Sequence, residues 1–403
     1  MNTRYRYSKR IFYRQAPIES SGRHHTVDLI VMSLKVGQLV LRNKFILSPL
    51  ESVSDVGFRQ LCYNNGAALT WTEMIRSQAI SRGNNAALDL IDTFDPTCLT
   101  GVQILAKTSD DLLRSLHQLE NLSSNGKRPH FKNIAAIDLN FGCPSPDVIR
   151  EGAGPALLCR RNRLHELLST LVKWKNHPAN CLQIGAVGCK IRLGKNQTEQ
   201  SQKVYLRVAA VANEVGLDYL TVHARHAKQK SSEPPTWSAI REIKEVASMP
   251  VIANGNVACL ADALQLESET GCDGFMVARA AIRNPWIFRY FASGKVELLK
   301  NAALRPEQKS DVFGREFLDD RYWPSEEEVL QVIEAYNSME QQLPAYGEAS
   351  SAVVADGNTA SSKFTTKAKY RKFHGINFGR ILAASRSKDA RAAPFIPPKT
   401  IHI

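Results

Sequence analysis

The sequence has 403 residues, 43% hydrophobic and 23% charged, a globular composition with material for one large domain and a smaller one. Its formal net charge of +13 argues against a cationic partner and favours a polyanion, nucleic acid first, over a merely solvated basic surface. No apolar run approaches the roughly 18 residues of a membrane span, and the eight cysteines form no Cys-x-x-Cys pair, so a membrane protein, a zinc protein and an iron–sulfur protein of the usual spacing are all disfavoured.

The first 18 residues, MNTRYRYSKRIFYRQAPI, carry five basic side chains and no acid before Glu19. Residues 1–35 therefore read as a basic arm or a targeting segment. The scattered cysteines suit a reducing compartment, so a cytoplasmic location is expected, with a mitochondrial one as the alternative.

Eight short β-rich runs then follow: FILSP (45–49), ALTWTEM (68–74), GVQIL (101–105), AAIDLNFG (135–142), VGCKIR (187–192), YLTVHAR (219–225), PVIANGN (250–256) and GFMVAR (274–279). Most are apolar without clean alternation, as strands buried on both faces should be. Amphipathic stretches lie between them, among them 110–122, 163–175 and 237–248. Alternation of this kind over about 235 residues predicts an α/β fold, a (β/α)8 TIM barrel across 36–290. An open doubly wound sheet would want a Gly-x-Gly-x-x-Gly turn after its first strand, and none is there.

The runs end in polar or special residues: Pro49, Glu73, Gln103, Asn140, Lys190 with Arg192, His223, Asn254 with Asn256, and Arg279. A barrel brings all such ends to one face. Taken singly, each has a plainer explanation; Glu73 suits a helix cap and His223 a satisfied core histidine.

A connector is expected over 291–324 and a small C-terminal helical domain over 325–390. SEEEVLQVIEAYNSMEQQL (325–343) reads as a helix capped by Ser325. Residues 344–362 are small and polar and read as a flexible insertion, and 391–403 as a tail. In the basic stretch 363–385, Lys367, Lys369, Arg371 and Lys372 flank Tyr370 and Phe373, a pattern suited to phosphates and a stacked base.

At the strand ends, Asn254-Gly255-Asn256 and Ala278-Arg279 suit a phosphate at the last two loops of the barrel. With Lys190 deeper inside and Gln103 to bond a polar ring edge, flavin mononucleotide (FMN) fits, although a sugar phosphate would use the same loops. Cys143 sits between Gly142 and Pro144 in the loop after the fourth run. There it suits a proton donor or nucleophile, against the plainer reading of a small buried hydrophobe. Asn140, two residues earlier, suits the edge of a planar heterocycle.

These motifs together resemble the tRNA-dihydrouridine synthase family. LNFGCPSPDVIREGAGPALL is similar to its signature loop, and ILSPLESVSDVGFRQLC, TEMI, CKIRLG, TVHAR, PVIANGN and MVARAAIRNPWIF follow in the family's order. The tail resembles the family's tRNA-binding domain more loosely. The resemblance implies an enzyme in which NADPH reduces FMN, hydride passes to C6 of a tRNA uracil, and Cys143 protonates C5. It implies that Ser48, Pro49, Leu50, Gln103, Lys190, His223, Asn254, Gly255, Asn256, Ala278 and Arg279 line FMN, while Asn140 and Arg192 hold the uracil. No metal is implied, no membrane, and a monomer.

Three departures stand out. Ser48-Pro49-Leu50 replaces Ala-Pro-Met, Asn254-Gly255-Asn256 replaces Asn-Gly-Asp, and Ala278-Arg279 replaces Gly-Arg. HAKQKSSEPPTW, after TVHAR, also differs from the family pattern. The rivals are another FMN barrel, such as a dihydroorotate dehydrogenase, and a non-catalytic tRNA-binding protein that keeps the fold.

Overall fold

A computed structural model describes residues 33–93, 95–293, 324–342, 374–375 and 377–383. Nearly all of the N-terminal arm, most of the connector, the 344–362 insertion, Lys367, Lys369, Arg371 and the tail lie outside the described residues.

Among the described residues ten strands form, in chain order. β1 (Leu34–Val36) and β2 (Leu39–Leu41) make an antiparallel hairpin that turns at Gly37, whose φ of 56° suits glycine. β3 (Phe45–Leu47), β4 (Thr70–Arg76), β5 (Thr100–Leu105), β6 (Ile134–Phe141), β7 (Ala186–Arg192), β8 (Tyr219–His223), β9 (Val251–Asn254) and β10 (Gly274–Val277) make one parallel sheet. Its order runs β3-β10-β9-β8-β7-β6-β5-β4. A parallel bridge between Ile46 and Leu69 joins the two ends, and Leu47 N–H donates to the Leu69 carbonyl at 2.9 Å. The sheet is thereby a closed (β/α)8 barrel.

The strands match the eight apolar runs because every residue of β5 to β10 is buried, leaving no solvent face to mark with polar alternation. The β1–β2 hairpin plugs the end of the barrel where the strands begin. Leu34, Val36 and Leu41 pack there on Ile46, Leu69, Trp71, Tyr219, Ile252 and Met276.

The helices pack outside in the order the alternation requires. They are α1 (Val56–Asn64), α2 (Ser109–Ser124), α3 (Arg161–Lys175), α4 (Val204–Val215), α5 (Ser238–Val246) and α6 (Leu260–Thr270), with shorter turns among them. α2 shows the local logic. Thr108 caps it by accepting from Asp111 N–H at 3.2 Å, Asp110 and Asp111 favour its positive end, and Leu112, Leu116, Leu119 and Leu122 bury one stripe. Each fully buried leucine is worth about 1.5–3 kcal/mol over an exposed one.

Beyond the barrel, α7 (Glu326–Gln342) begins at Ser325. Ser325 Oγ accepts from Glu328 N–H at 3.2 Å, and Glu328 accepts from Ser325 N–H at 2.8 Å, a reciprocal cap. Residues 374–375 and 377–383 are also helical. Val329, Tyr336, Phe378 and Ile381 bury Leu61 and Trp286 of the barrel. Gly57 makes the approach possible, since a Cβ there would lie 2.6 Å from the Tyr336 ring. Among the described residues no helix is long and apolar enough to cross a membrane.

Candidate active site

A cleft opens where the barrel strands end, and its lining includes the expected Pro49, Gln103, Asn140, Cys143 and Lys190, together with Glu51 and Met74. Cys143 reaches it from a turn that its neighbours hold on both sides. Asn140 Oδ1 accepts from the backbone N–H of Gly142 at 3.0 Å and of Cys143 at 2.8 Å. Arg192 Nε donates to the Gly142 carbonyl at 2.8 Å, and Arg192 also donates to the His226 carbonyl at 3.3 Å. The cysteine packs on Leu105, Val148 and Ala153. Burial pushes its thiol above the ordinary value, and nearby Glu51 adds to this, while a bond at Ser145 and the charges of Arg192 and Lys190 pull it back. The group is a protonated thiol at neutral pH.

Below the cysteine lies a polar floor inside the barrel. Asp138 is buried and accepts from Gln103 Nε2 at 2.8 Å and from the Tyr219 hydroxyl at 3.1 Å. Gln103 Oε1 in turn accepts from Asn140 Nδ2 at 2.7 Å. Burial raises Asp138 to about 7 against the pull of these bonds and of Lys190. Burial, then Arg192, lowers Lys190 to about 7, with Asp138 and Cys143 opposing. Arg192 falls to about 10 through burial.

The opposite wall carries the expected phosphate loops. Gly255, with φ 123°, takes the chain out of β9, and a Cβ there would meet the His223 ring at 3.3 Å. Asn256 Oδ1 accepts from Arg279 Nη2 at 2.7 Å and from Arg225 Nη2 at 2.9 Å. Two guanidinium groups thus share one neutral oxygen, an arrangement that favours an anion. Burial and Arg279, then Arg192, depress Arg225 to about 9. Arg225 also holds the Glu233 carbonyl through Nε at 2.9 Å.

Arg225 Nη1 lies 3.3 Å from His223 Nε2. An arginine only donates, so Nε2 is the acceptor and Nδ1 carries the hydrogen. Burial and the surrounding Arg192, Lys190, Arg225 and Arg279 hold His223 well below its usual value, so the ring is neutral. Its Nδ1, like Asn254 Oδ1 and Thr221 Oγ1, is buried with no hydrogen-bond partner among the described residues. Asn254 spends its other amide atom on the Met276 carbonyl at 2.7 Å.

The remaining expected residues sit close by. Ser48 N–H extends the sheet to the Val277 carbonyl at 2.9 Å, and Ala278 is buried just before the short helix Arg279–Arg283. Leu50 buries its side chain fully and gives its N–H to Ser54 Oγ at 2.9 Å. The Glu73 carboxylate accepts from Ser52 N–H at 2.8 Å and so steadies the first loop, where Ser52 adopts φ 61°. Lys367, Lys369 and Arg371 lie outside the described residues.

Sequence reasoning missed Asp138, Tyr219 and Arg225. Asp138 had a signal: a lone carboxylate inside the apolar run AAIDLNFG has to be paired. Arg225 had none, because its partners come from separate loops.

The profile of the family described as Dihydrouridine synthase (Dus) matches residues 46–316. A tRNA-dihydrouridine synthase B from Klebsiella pneumoniae is 32% identical over 257 residues, which covers 64% of this chain and 73% of that protein. A probable tRNA-dihydrouridine synthase from Aquifex aeolicus is 33% identical over 251 residues, 62% of this chain and 73% of that protein. Among solved structures, DHODH from Eimeria tenella aligns at a TM-score of 0.45 with 14% identity, over 71% of this chain and 89% of that one, too distant to bear on function.

Proposed function

The chain belongs to the dihydrouridine synthase family and is an enzyme of it, and from that premise we propose that it reduces one uridine of a tRNA to 5,6-dihydrouridine with Cys143 as the general acid. The observation that carries the reading is the Cys143 thiol, buried at the cleft on a turn tied on both sides by Asn140 and Arg192.

The site fits a flavin with a phosphate tail. His223 offers an unspent Nδ1–H, Asn254 an unspent carbonyl oxygen, and Gly255 a bare backbone, while Arg279 and Arg225 present positive charge at the loop ends. Ser48, Pro49, Leu50, Gln103, Lys190, Asn256 and Ala278 complete the set. These residues would hold FMN, which, reduced by NADPH, would supply the hydride for uracil C6.

The chain's own residues do the rest. Asn140 has committed its oxygen to two backbone N–H groups and one amide hydrogen to Gln103, so it meets the uracil as a donor to a carbonyl. Arg192 holds the wall behind it. Lys190, brought to about 7 by burial and Arg192, supplies positive charge beside the ring edge when protonated. Cys143 transfers its proton to C5 as hydride arrives at C6, and the thiolate recovers a proton from solvent. The uracil must leave its stack to reach the cleft, which costs a few kcal/mol. The +13 net charge supplies long-range attraction for the tRNA, with Lys367, Lys369 and Arg371 as contacts. We take the protein to act as a monomer.

The test is mass spectrometry of unmodified tRNA incubated with purified protein and NADPH. A two-hydrogen gain on one mapped uridine supports the reading. No gain on any tRNA, with flavin bound and reducible, overturns it in favour of a small-molecule flavoenzyme.

A further inference from the structure

We propose that Asp138, which is buried and does not line the cleft, is a positioning residue: through a one-way relay of side-chain amides it fixes which way Gln103 and Asn140 face, and with them the backbone turn that carries Cys143. The relay's catalytic meaning rests on Cys143 being the general acid, whereas the relay itself does not.

The polarity follows from donors and acceptors alone. In its ionised form, which the bonds from Gln103 and Tyr219 and the charge of Lys190 favour, Asp138 only accepts, so Gln103 turns its NH2 to it, at 2.8 Å. The Gln103 carbonyl then faces Asn140 and takes one of its amide hydrogens at 2.7 Å. This turns the Asn140 carbonyl toward the loop, where it receives Gly142 N–H and Cys143 N–H. Backbone N–H groups only donate, so the loop end demands the same polarity as the carboxylate end. A flip of either amide would set two donors or two acceptors face to face in a buried place, where each unmade bond carries its full desolvation cost.

The barrel builds the anchor. Gln103 pairs in register with Asp138, Asp138 with Gly188, and Gly188 with Tyr219. Gly188 has no side chain, and a Cβ there would lie 2.3 Å from the Tyr219 ring. The tyrosine therefore lies across β7 and places its hydroxyl 3.1 Å from the second carboxylate oxygen. With one donor on each oxygen, Asp138 is held as an acceptor at both ends.

The relay can be reversed on paper, which makes it testable. Asp138→Asn either sets its NH2 against that of Gln103 or strips Tyr219 of its acceptor. Asn140→Asp sets a carboxylate oxygen against the Gln103 carbonyl. In the double variant every group is satisfied again. Asp at 140 accepts from the loop and from a turned Gln103, whose carbonyl accepts from Asn at 138, whose own carbonyl keeps Tyr219.

The readout is the rate at which iodoacetamide labels Cys143 in the full chain without tRNA, followed on its own peptide by mass spectrometry because Cys159 and Cys181 are also exposed to reagent. Each single variant is expected to change that rate about tenfold, the size of one lost buried hydrogen bond, and the double variant to return to within about threefold of the starting rate. A double variant whose change equals the product of the two singles overturns the proposal, since a merely structural role predicts accumulating damage. If a single variant fails to fold, Gln103→Met decides: it cuts the relay at its centre, and an unchanged labelling rate overturns the proposal. Because tRNA is absent from this assay, its failure is separate from a failure of the dihydrouridine reading.

Discussion

As the proposed general acid, Cys143 would have to meet two demands that pull apart, holding its proton at neutral pH yet releasing it during the reaction. Burial secures the first; Arg192 and Lys190, which favour the thiolate, serve the second. Cys143→Ala is expected to keep bound flavin while lowering dihydrouridine formation by about 10²–10⁴, measured by product mass spectrometry beside the flavin absorbance. The sign of the pH dependence follows. The active form is the protonated one and its pKa is raised, so single-turnover reduction should be carried by this group through neutral pH and fall only at alkaline pH, above the ordinary thiol value of 9.0. Arg225 makes the third residue-level case. Arg225→Met removes the donor that sets the His223 tautomer and one of two cations at Asn256, so flavin affinity should drop about tenfold or more in a fluorescence titration. The gathering of these residues at one mouth was legible, because Asn140, Lys190 and His223 stand at or near strand ends, Cys143 in the loop just after one, and barrel geometry brings strand ends together. Arg225 was not legible, because its role depends on Glu233, Asn256 and His223 folding onto it from three places.

Among the elements, β5 to β8 carry the site because their register sets side chains of the right length opposite one another. Gly188 is the spacer in that layer. Gly188→Ala should force Tyr219 off Asp138 and cost about 1–3 kcal/mol, the usual range for overpacking, seen as a lower urea midpoint with flavin retention measured alongside. The eight barrel strands were legible as apolar runs ending in polar residues, for the physical reason that parallel strands buried on both faces have no other pattern available. The β1–β2 hairpin was not. Its two strands have three residues each, too few for a period, and only the packing of Leu34, Val36 and Leu41 against the barrel floor gives them a reason to pair. The helix at Ser325 was legible down to its cap, since a serine followed by glutamates is a local signal that needs no tertiary partner.

For the molecule as a whole, the C-terminal helices and the barrel mouth are one piece of packing. Tyr336 donates to Asp55 at 2.6 Å, His374 Nε2 lies 3.1 Å from the Val53 carbonyl, and Asn377 donates to the Ile282 carbonyl at 2.5 Å. The first two grip the loop that carries Ser48 to Leu50 and Glu51, and the third grips the short helix that starts at Arg279. Truncation after residue 324 is therefore expected to lower flavin retention as well as tRNA affinity, measured by absorbance after gel filtration and by filter binding. Intact flavin retention would show that the barrel holds its mouth unaided. The same docking has a consequence for how the protein is made. Residue 374 bonds to residue 53, a separation of 321 positions along the chain. A ribosome therefore emits the first loop of the candidate site 321 residues before the residue that supports it. The barrel strands have time to pair in order of synthesis, but this loop waits for residue 374. A chain stalled before residue 374 is expected to have its barrel formed and its first loop unsecured.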